Sequence, residues 1–135
     1  MSFTLISNNP DLKPIEVGSN SWVIYMQDFA LGYVLNYGTG LKSGSYVYED
    51  GNKGTPTSND GYIVTAEQAK AMALVAKGFV FVQRAVNEQW EALEQVQREH
   101  YEGSRFCRQS VHEDHLTWLE AFAAFAEKSN GFTIN

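Results

Sequence analysis

Residues 62–68, with the sequence YIVTAEQ, decide the fold because a strand pattern passes directly into a helix start there. The aromatic and β-branched residues at 62–64 favour an extended strand. The Thr65 hydroxyl can then accept a hydrogen bond from the amide N–H of Gln68, while the Gln68 side chain reaches back to the amide of residue 65. This capping box predicts a strand over 62–64 and a long helix directly after it.

The predicted helix carries apolar residues at intervals of three and four, which places them on one helical face. These residues are Ala69, Met72, Ala76, Phe79, Val80, Val86, Trp90, Leu93 and Val96. Gly78 and the β-branched residues beside it weaken the middle of the helix. The sequence therefore leaves open whether residues 66–102 form one helix or two that join near Gly78.

A helix is also predicted earlier in the chain. Apolar residues recur every three or four positions over residues 22–37, Asn20 or Ser21 can cap this helix, and Gly38 can end it.

A further helix is predicted later in the chain, where Ser110 and Glu113 have the spacing of a second capping box. Its apolar face consists of Leu116, Leu119, Phe122, Ala123 and Ala126, widened by Trp118 and Phe125. Asn130 and Gly131 provide a left-handed stop.

Short extended segments complete the predicted fold. Residues 3–6 and 132–134 have strand propensity, and residues 46–48 pair with residues 62–64 as a hairpin across a long Gly-rich loop. We therefore predict a helix-rich α+β fold in which about three helices pack on a small antiparallel sheet.

Composition indicates one domain, residues 1–135, that folds without disulfides or metals. The chain is 44% hydrophobic and 19% charged, so it is far from the disordered class. Its apolar runs are too short to cross a bilayer, and Cys107 is the only cysteine. We expect a cytoplasmic protein with no membrane association and no cofactor.

The charge balance bears on the kind of partner. Sixteen acidic and ten basic residues give a formal net charge of −6, which opposes direct binding to nucleic acid. An acidic surface instead attracts a basic protein partner. The long helix offers more apolar surface than a chain of this size needs to cover, which is compatible with a homodimer.

Two stretches resemble segments of small uncharacterised bacterial and phage proteins. They are residues 58–70, with the sequence SNDGYIVTAEQAK, and the closing part of the chain, with FAAF at 122–125 and GFTI at 131–134. The resemblance implies a bacterial or phage origin and a shared α+β fold. It brings no established activity and no catalytic residues.

The Gly-rich stretch 38–62 is the first candidate site, because its tyrosines offer rigid contact area and its small polar residues offer adaptable hydrogen bonds. The candidate ligand-binding residues are Tyr37, Tyr46, Tyr48, Asn59, Asp60 and Tyr62. The alternative is a hairpin whose tyrosines pack on the sheet and whose turns face solvent.

The acidic surface of the long helical segment is the second candidate. The candidate partner-binding residues are Glu88, Glu91, Glu94, Glu99 and Glu102. They form either a docking surface for a basic partner or an ordinary solvated face.

Metal and thiol chemistry receive less support. His112 and His115 lie three residues apart and can face the same side of a helix, but they lack the H-E-x-x-H spacing, so we assign no metal site. Cys107 lies between Arg105 and Arg108, yet nothing in the sequence places a base beside it, so we assign no catalytic residue.

Three functions remain open on this basis. The first is a non-catalytic protein that inhibits or neutralises a macromolecular partner, as immunity and anti-defence proteins do. The alternative is a protein that binds a small molecule or a nucleotide signal through the Gly-rich loop. A metal-dependent hydrolase that uses His112 and His115 is the third.

Overall fold

The computed structural model of this chain describes residues 1–37, 52, 54–102 and 109–135. Within these ranges lie four α-helices, one 3₁₀ helix and four strands. In chain order they are β1 (Ser2–Ser7), β2 (Ile15–Gly18), α1 (Ser19–Gln27), the 3₁₀ helix (Leu31–Leu35), β3 (Tyr62–Val64), α2 (Ala66–Glu91), α3 (Gln95–Tyr101), α4 (Glu113–Lys128) and β4 (Phe132–Ile134). The predicted helix-rich α+β fold is confirmed.

The described strands form one antiparallel sheet in the order β2-β1-β4-β3. Phe3 lies opposite Val17 in the β1–β2 pair, and Thr133 of β4 lies between Ile6 and Ile63 of its two neighbours. The sheet buries one face, which consists of Phe3, Leu5, Val17, Tyr62, Val64, Phe132 and Ile134. Ile6 and Ile63 lie on the exposed face, as the alternation of side chains along a strand requires.

Aromatic side chains join α4 to the sheet and to α1. The ring centroids of Phe122 and Phe125 lie 5.9 and 5.7 Å from that of Phe132. On its other side Phe122 lies 6.0 Å from Trp22, which is fully buried. Burying an aromatic or aliphatic side chain of this size contributes roughly 1.5 to 3 kcal/mol, so this contact line between helices and sheet is a main source of stability.

Helix α2 begins as predicted and runs uninterrupted past Gly78. The amide of Gln68 donates to the Thr65 hydroxyl at 3.2 Å, and the amide of Thr65 donates to Oε1 of Gln68 at 3.0 Å. The helix ends at Glu91, and α3 begins after a short break. Residues 66–102 therefore form two helices, but they separate at residues 92–94 and not at Gly78.

The apolar stripe predicted for residues 69–96, which span α2 and the start of α3, is buried only in its first half. Ala69, Met72, Ala76 and Val80 are buried, whereas Val96 is 75% exposed. Val86 and Trp90, nearer the carboxyl end of α2, are only partly buried.

The first predicted helix is wrong beyond Gln27. Helix α1 ends at Gln27 with Asp28 as its C-cap, and Ala30, in a left-handed conformation with φ 66°, directly precedes the 3₁₀ helix. Phe29 stacks on Phe79 of α2 with centroids 4.2 Å apart. The predicted caps Asn20 and Ser21 are also wrong, because the helix begins directly after β2, a strand that the sequence analysis missed.

Helix α4 buries its predicted apolar face but begins later than predicted. The cap is His112, whose Nδ1 accepts from the amide of Asp114 at 3.1 Å, so the capping box at Ser110 is wrong. Asn130 (φ 56°) and Gly131 (φ 98°) form the predicted left-handed stop. A Cβ at Gly131 would lie 2.7 Å from the carbonyl oxygen of Val64, so β3 itself requires glycine there.

Candidate functional site

A cleft of about 460 Å³ opens where the last turns of α2 meet residues 110–113. The partly buried indole of Trp90 lines it together with the exposed carboxylates of Glu88, Glu91 and Glu113. We refer to this place, defined by those four residues and His112, as the acidic cleft.

Two side-chain amides hold the walls of the acidic cleft together. Nδ2 of Asn87 donates to the carbonyl oxygen of Val111 at 2.7 Å, and the amide of Val111 donates to Oδ1 of Asn87 at 2.9 Å. The fully buried Gln83 donates to Oδ1 of Asn87 at 3.0 Å and to the carbonyl oxygen of Gln109 at 2.9 Å. The backbone at 109–111 is thereby fixed against α2.

Sequence reasoning missed Gln83 and Asn87, although a signal for them exists. Residues seven apart in a helix lie on the same face. Gln83 lies seven residues after Ala76, which lies seven after Ala69, and both alanines are buried. Asn87 lies seven residues after the buried Val80. A polar residue in a buried row needs a hydrogen-bonding partner. The row therefore indicated that a backbone segment would dock at this end of α2.

The charges of the acidic cleft are only partly compensated. The Arg84 guanidinium donates to Oε1 of Glu113 at 2.7 Å and also to Oε1 of Glu120. These hydrogen bonds, first from Glu113 and then from Glu120, raise the pKa of Arg84 above its usual value. Among the residues that the structure describes, neither Glu88 nor Glu91 forms an ion pair. The mouth of the cleft is consequently negative.

The five predicted partner-binding glutamates are all exposed, but they do not lie on one continuous helix. Glu88 and Glu91 line the acidic cleft, and Glu94 precedes α3 as its cap position. Glu99 lies within α3 and Glu102 directly follows it. Only the first two are brought together with Glu113, which sequence reasoning did not select.

The break between α2 and α3 has an identifiable hydrogen-bonding partner. The Arg98 guanidinium donates to the carbonyl oxygens of Trp90 and Glu91 at 3.1 and 2.8 Å. A cation at these last carbonyls complements the negative end of the α2 dipole. Arg98 thus fixes the position of α3 beside the acidic cleft.

The predicted ligand-binding residues are dispersed. Tyr62 is fully buried in β3, so its ring belongs to the core and not to an accessible surface. The Tyr37 hydroxyl accepts from Gln27 and from Thr57, each at 3.2 Å. Asn59 and Asp60 are exposed, and Tyr46 and Tyr48 lie outside the described residues, as does the predicted strand 46–48. Binding of a small molecule or nucleotide at this loop stays a prediction.

The two histidines of the metal hypothesis have separate roles. His112 caps α4, whereas Nδ1 of His115 lies 2.7 Å from the Tyr25 hydroxyl. The Tyr25 ring in turn stacks on Trp118 with centroids 5.0 Å apart. Within residues 1–37, 52, 54–102 and 109–135, no three or more His, Cys, Asp or Glu side chains converge as metal ligands would. Cys107 and its flanking arginines lie outside these ranges.

The described helices include none with both the length and the apolar character needed to cross a bilayer. The resemblance to small bacterial and phage proteins stays a prediction. No family model, no curated protein and no solved structure matches this chain.

Proposed function

We propose that this protein works by binding, and that its acidic cleft receives a basic segment of a partner protein. In this proposal the chain covers a functional surface of the partner and neutralises it, in the manner of immunity and anti-defence proteins. The observation that carries the proposal is the juxtaposition in one cleft of the Trp90 indole with the carboxylates of Glu88 and Glu91, which form no ion pair with another described residue.

The chemistry of the acidic cleft suits an arginine or lysine side chain. A guanidinium can donate to a carboxylate through two parallel hydrogen bonds, and two carboxylates of the cleft have no ion pair within the described part of the chain. A cation over an indole face contributes roughly 0.5 to 2 kcal/mol, depending on how far it is desolvated. The acidic cleft therefore recognises both the positive charge and the flat shape of a guanidinium group.

The size and rigidity of the acidic cleft also support the proposal. Its volume of about 460 Å³ lies within the range of roughly 300 to 1,000 Å³ that is typical of specific pockets. The hydrogen bonds between the Asn87 side chain and the Val111 backbone fix the wall of the cleft before any partner arrives. Less ordering is then required on binding, which favours affinity.

The overall charge of −6 adds long-range attraction for a basic partner. Attraction of this kind raises the association rate and falls with ionic strength. We therefore expect binding that weakens mainly through slower association as salt is added.

A tetra-arginine peptide carrying a dye is the first probe, with a tetra-glutamate peptide as its control. We expect saturable binding of the arginine peptide and partial quenching of the tryptophan fluorescence, to which Trp90 contributes together with Trp22 and Trp118. The double variant Glu88→Lys/Glu91→Lys should weaken binding about tenfold or more, which corresponds to about 1.4 kcal/mol.

The matched control is Asp11→Lys/Glu16→Lys, which changes the net charge equally at exposed positions in and before β2. Retained binding in this control, and loss in the cleft variant, would support the acidic cleft. Equal loss in both variants would show that only net charge matters and would contradict the proposal. The same two variants then test whether a protein that is cross-linked to the chain in cells binds at the acidic cleft.

A further inference from the structure

The outer face of α2 exposes large apolar side chains. Leu74 is 70% exposed, Phe81 is 81% exposed and Val82 is 54% exposed. Their spacing puts them beside Gly78 on one side of the helix, directly opposite the side that packs into the core. An apolar face of this kind on a described helix marks an interaction surface.

This face has an internal symmetry about Gly78. On this face, the residues three, four and seven positions before and after Gly78 are all apolar. The pairs are Val75 with Phe81, Leu74 with Val82, and Ala71 with Ala85. A two-fold axis through an antiparallel helix pair places residues related in this way at the same height, so apolar side chains of one helix meet apolar side chains of the other.

Gly78 provides a second observation. A Cβ at this position would have no atom within 4 Å, so none of the residues that the structure describes requires glycine there. Glycine in the interior of a helix is unfavourable relative to alanine. Its usual benefit is that another backbone can approach closely.

We propose that α2 pairs with α2 of a second copy of this chain, antiparallel, with the two Gly78 residues at the crossing point. The symmetry of the face and the open glycine at its centre carry this inference. It goes beyond the proposed function and does not depend on it.

Side chains on the two helices match in position along this arrangement. With a rise of about 1.5 Å per residue, Leu74 lies about 6 Å before Gly78 and Phe81 lies about 4.5 Å after it. Reversing the second helix therefore places its Phe81 beside Leu74 of the first. A hollow of about 250 Å³ lies there between α2 and α4, lined by Ala73, Leu74 and Lys77 among others, and it can receive the ring.

The charges beside this face are compatible with self-association. Lys77 forms an ion pair with Glu127 of α4 at 2.8 Å. Arg84 pairs with Glu113 and Glu120, which also lie on α4. Lys77 and Arg84 are thus compensated within each chain, whereas Lys70, which lines the same hollow as Leu74, forms no ion pair with another described residue. Two copies can meet without leaving the charges of Lys77 and Arg84 unopposed.

The molar mass in solution tests the association. Light scattering and sedimentation at about 5 to 100 μM, in the range where specific dimers with Kd near 1 μM assemble, should give twice the 15.1 kDa of the chain. Leu74→Glu/Phe81→Glu should give the monomer mass with an unchanged helical circular dichroism spectrum. The matched control Val96→Glu alters a side chain that is 75% exposed on α3 and should leave the mass at the dimer value.

Disulfide trapping tests the orientation in a Cys107→Ser background, which lacks any other cysteine. Gly78→Cys should cross-link two copies rapidly, because the crossing point brings this position against itself. Ala85→Cys alone should not cross-link, because its two copies would lie about 21 Å apart along the pair. A mixture of Ala85→Cys and Ala71→Cys chains should cross-link.

Three results would overturn the inference. The first is a wild-type monomer at the highest concentration. The second is a dimer that persists in Leu74→Glu/Phe81→Glu, which would place the interface elsewhere. The third is self-cross-linking of Ala85→Cys as fast as that of Gly78→Cys, which would indicate a parallel pair. None of these variants alters Glu88, Glu91 or Trp90, so this test and that of the proposed function fail separately.

Discussion

Nε1 of Trp22 donates a 2.8 Å hydrogen bond to the backbone carbonyl oxygen of Pro56, and both residues are buried. An indole N–H in a core requires such a partner. The bond joins α1 to a turn that lies 34 residues later in the chain. Trp22 therefore fixes the entry to β3 as well as filling the space beneath α4.

Trp22→Phe should destabilise the protein by about 2 to 4 kcal/mol, because it leaves the Pro56 carbonyl without its donor and shrinks a packed ring. Chemical denaturation measures this loss. The control is Trp118→Phe, in which the indole is only partly buried and donates to the carbonyl oxygen of Glu16 at 3.0 Å. A loss in the control as large as that in Trp22→Phe would contradict the role given to the buried bond.

Asn87→Ala should cost about 2 to 3 kcal/mol, because it removes both hydrogen bonds to the Val111 backbone in a partly buried position. Amide hydrogen exchange at Val111 should accelerate in the variant more than it does in the core strands. The control Gln89→Ala alters an exposed residue of the same helix and should change stability by less than about 0.5 kcal/mol. Unchanged exchange at Val111 would show that other contacts hold the wall of the acidic cleft.

Burial raises the pKa of the Tyr25 hydroxyl above its ordinary value of 10.0, and a hydrogen bond from Ser21 opposes this in part. The folded chain then holds this proton at a pH where the unfolded chain has lost it. Stability from this group is complete below pH 10.0 and falls as the pH rises through the folded-state pKa. Between about pH 8 and about pH 11, the unfolding free energy of Tyr25→Phe should fall less steeply than that of the wild type. Parallel curves would contradict the assignment.

Thr65→Ala should destabilise the protein by about 1 kcal/mol through the loss of the helix cap. Thr65→Ser keeps the hydroxyl that accepts from Gln68 and should retain most of the stability. Thermal and denaturant unfolding of the two variants measure the difference. An equal loss in both would assign the effect to the threonine methyl group and not to the cap.

The features predicted correctly are those set by neighbouring residues. The capping box at Thr65 and Gln68 closes within four positions, and the stop at Asn130 and Gly131 needs only local backbone preferences. Burial of the α4 face followed from a period of three and four residues because one side of that helix meets the core along its length.

The features missed depend on distant contacts. Ala30 takes its left-handed conformation next to Phe29, which stacks on Phe79 of α2, fifty residues later. The apolar period could not reveal this break, since the 3₁₀ helix also buries Leu31 and Leu35 at a similar spacing. Strand β2 is only four residues long and depends on pairing with β1.

The candidate site also combines features that single residues determine with features that depend on distant contacts. Glu88 and Glu91 could be selected from the sequence because charge is a property of single residues. Their assembly into a cleft depends on Asn87 contacting Val111, 24 residues away, and no local pattern shows that contact. Trp90 was predicted as core, but it is only partly buried and lines the cleft.

Strand β4 lies between β1 and β3, which do not pair with each other. A ribosome that has completed β3 still has to add the 70 residues 65–134 before the joining strand is complete, which takes about 4 to 14 s at roughly 5 to 20 residues per second. During that interval both neighbours of the joining strand present open hydrogen-bonding edges to other chains or to a chaperone. Nascent chains of this protein should therefore be most prone to misassociation just before translation of its closing segment.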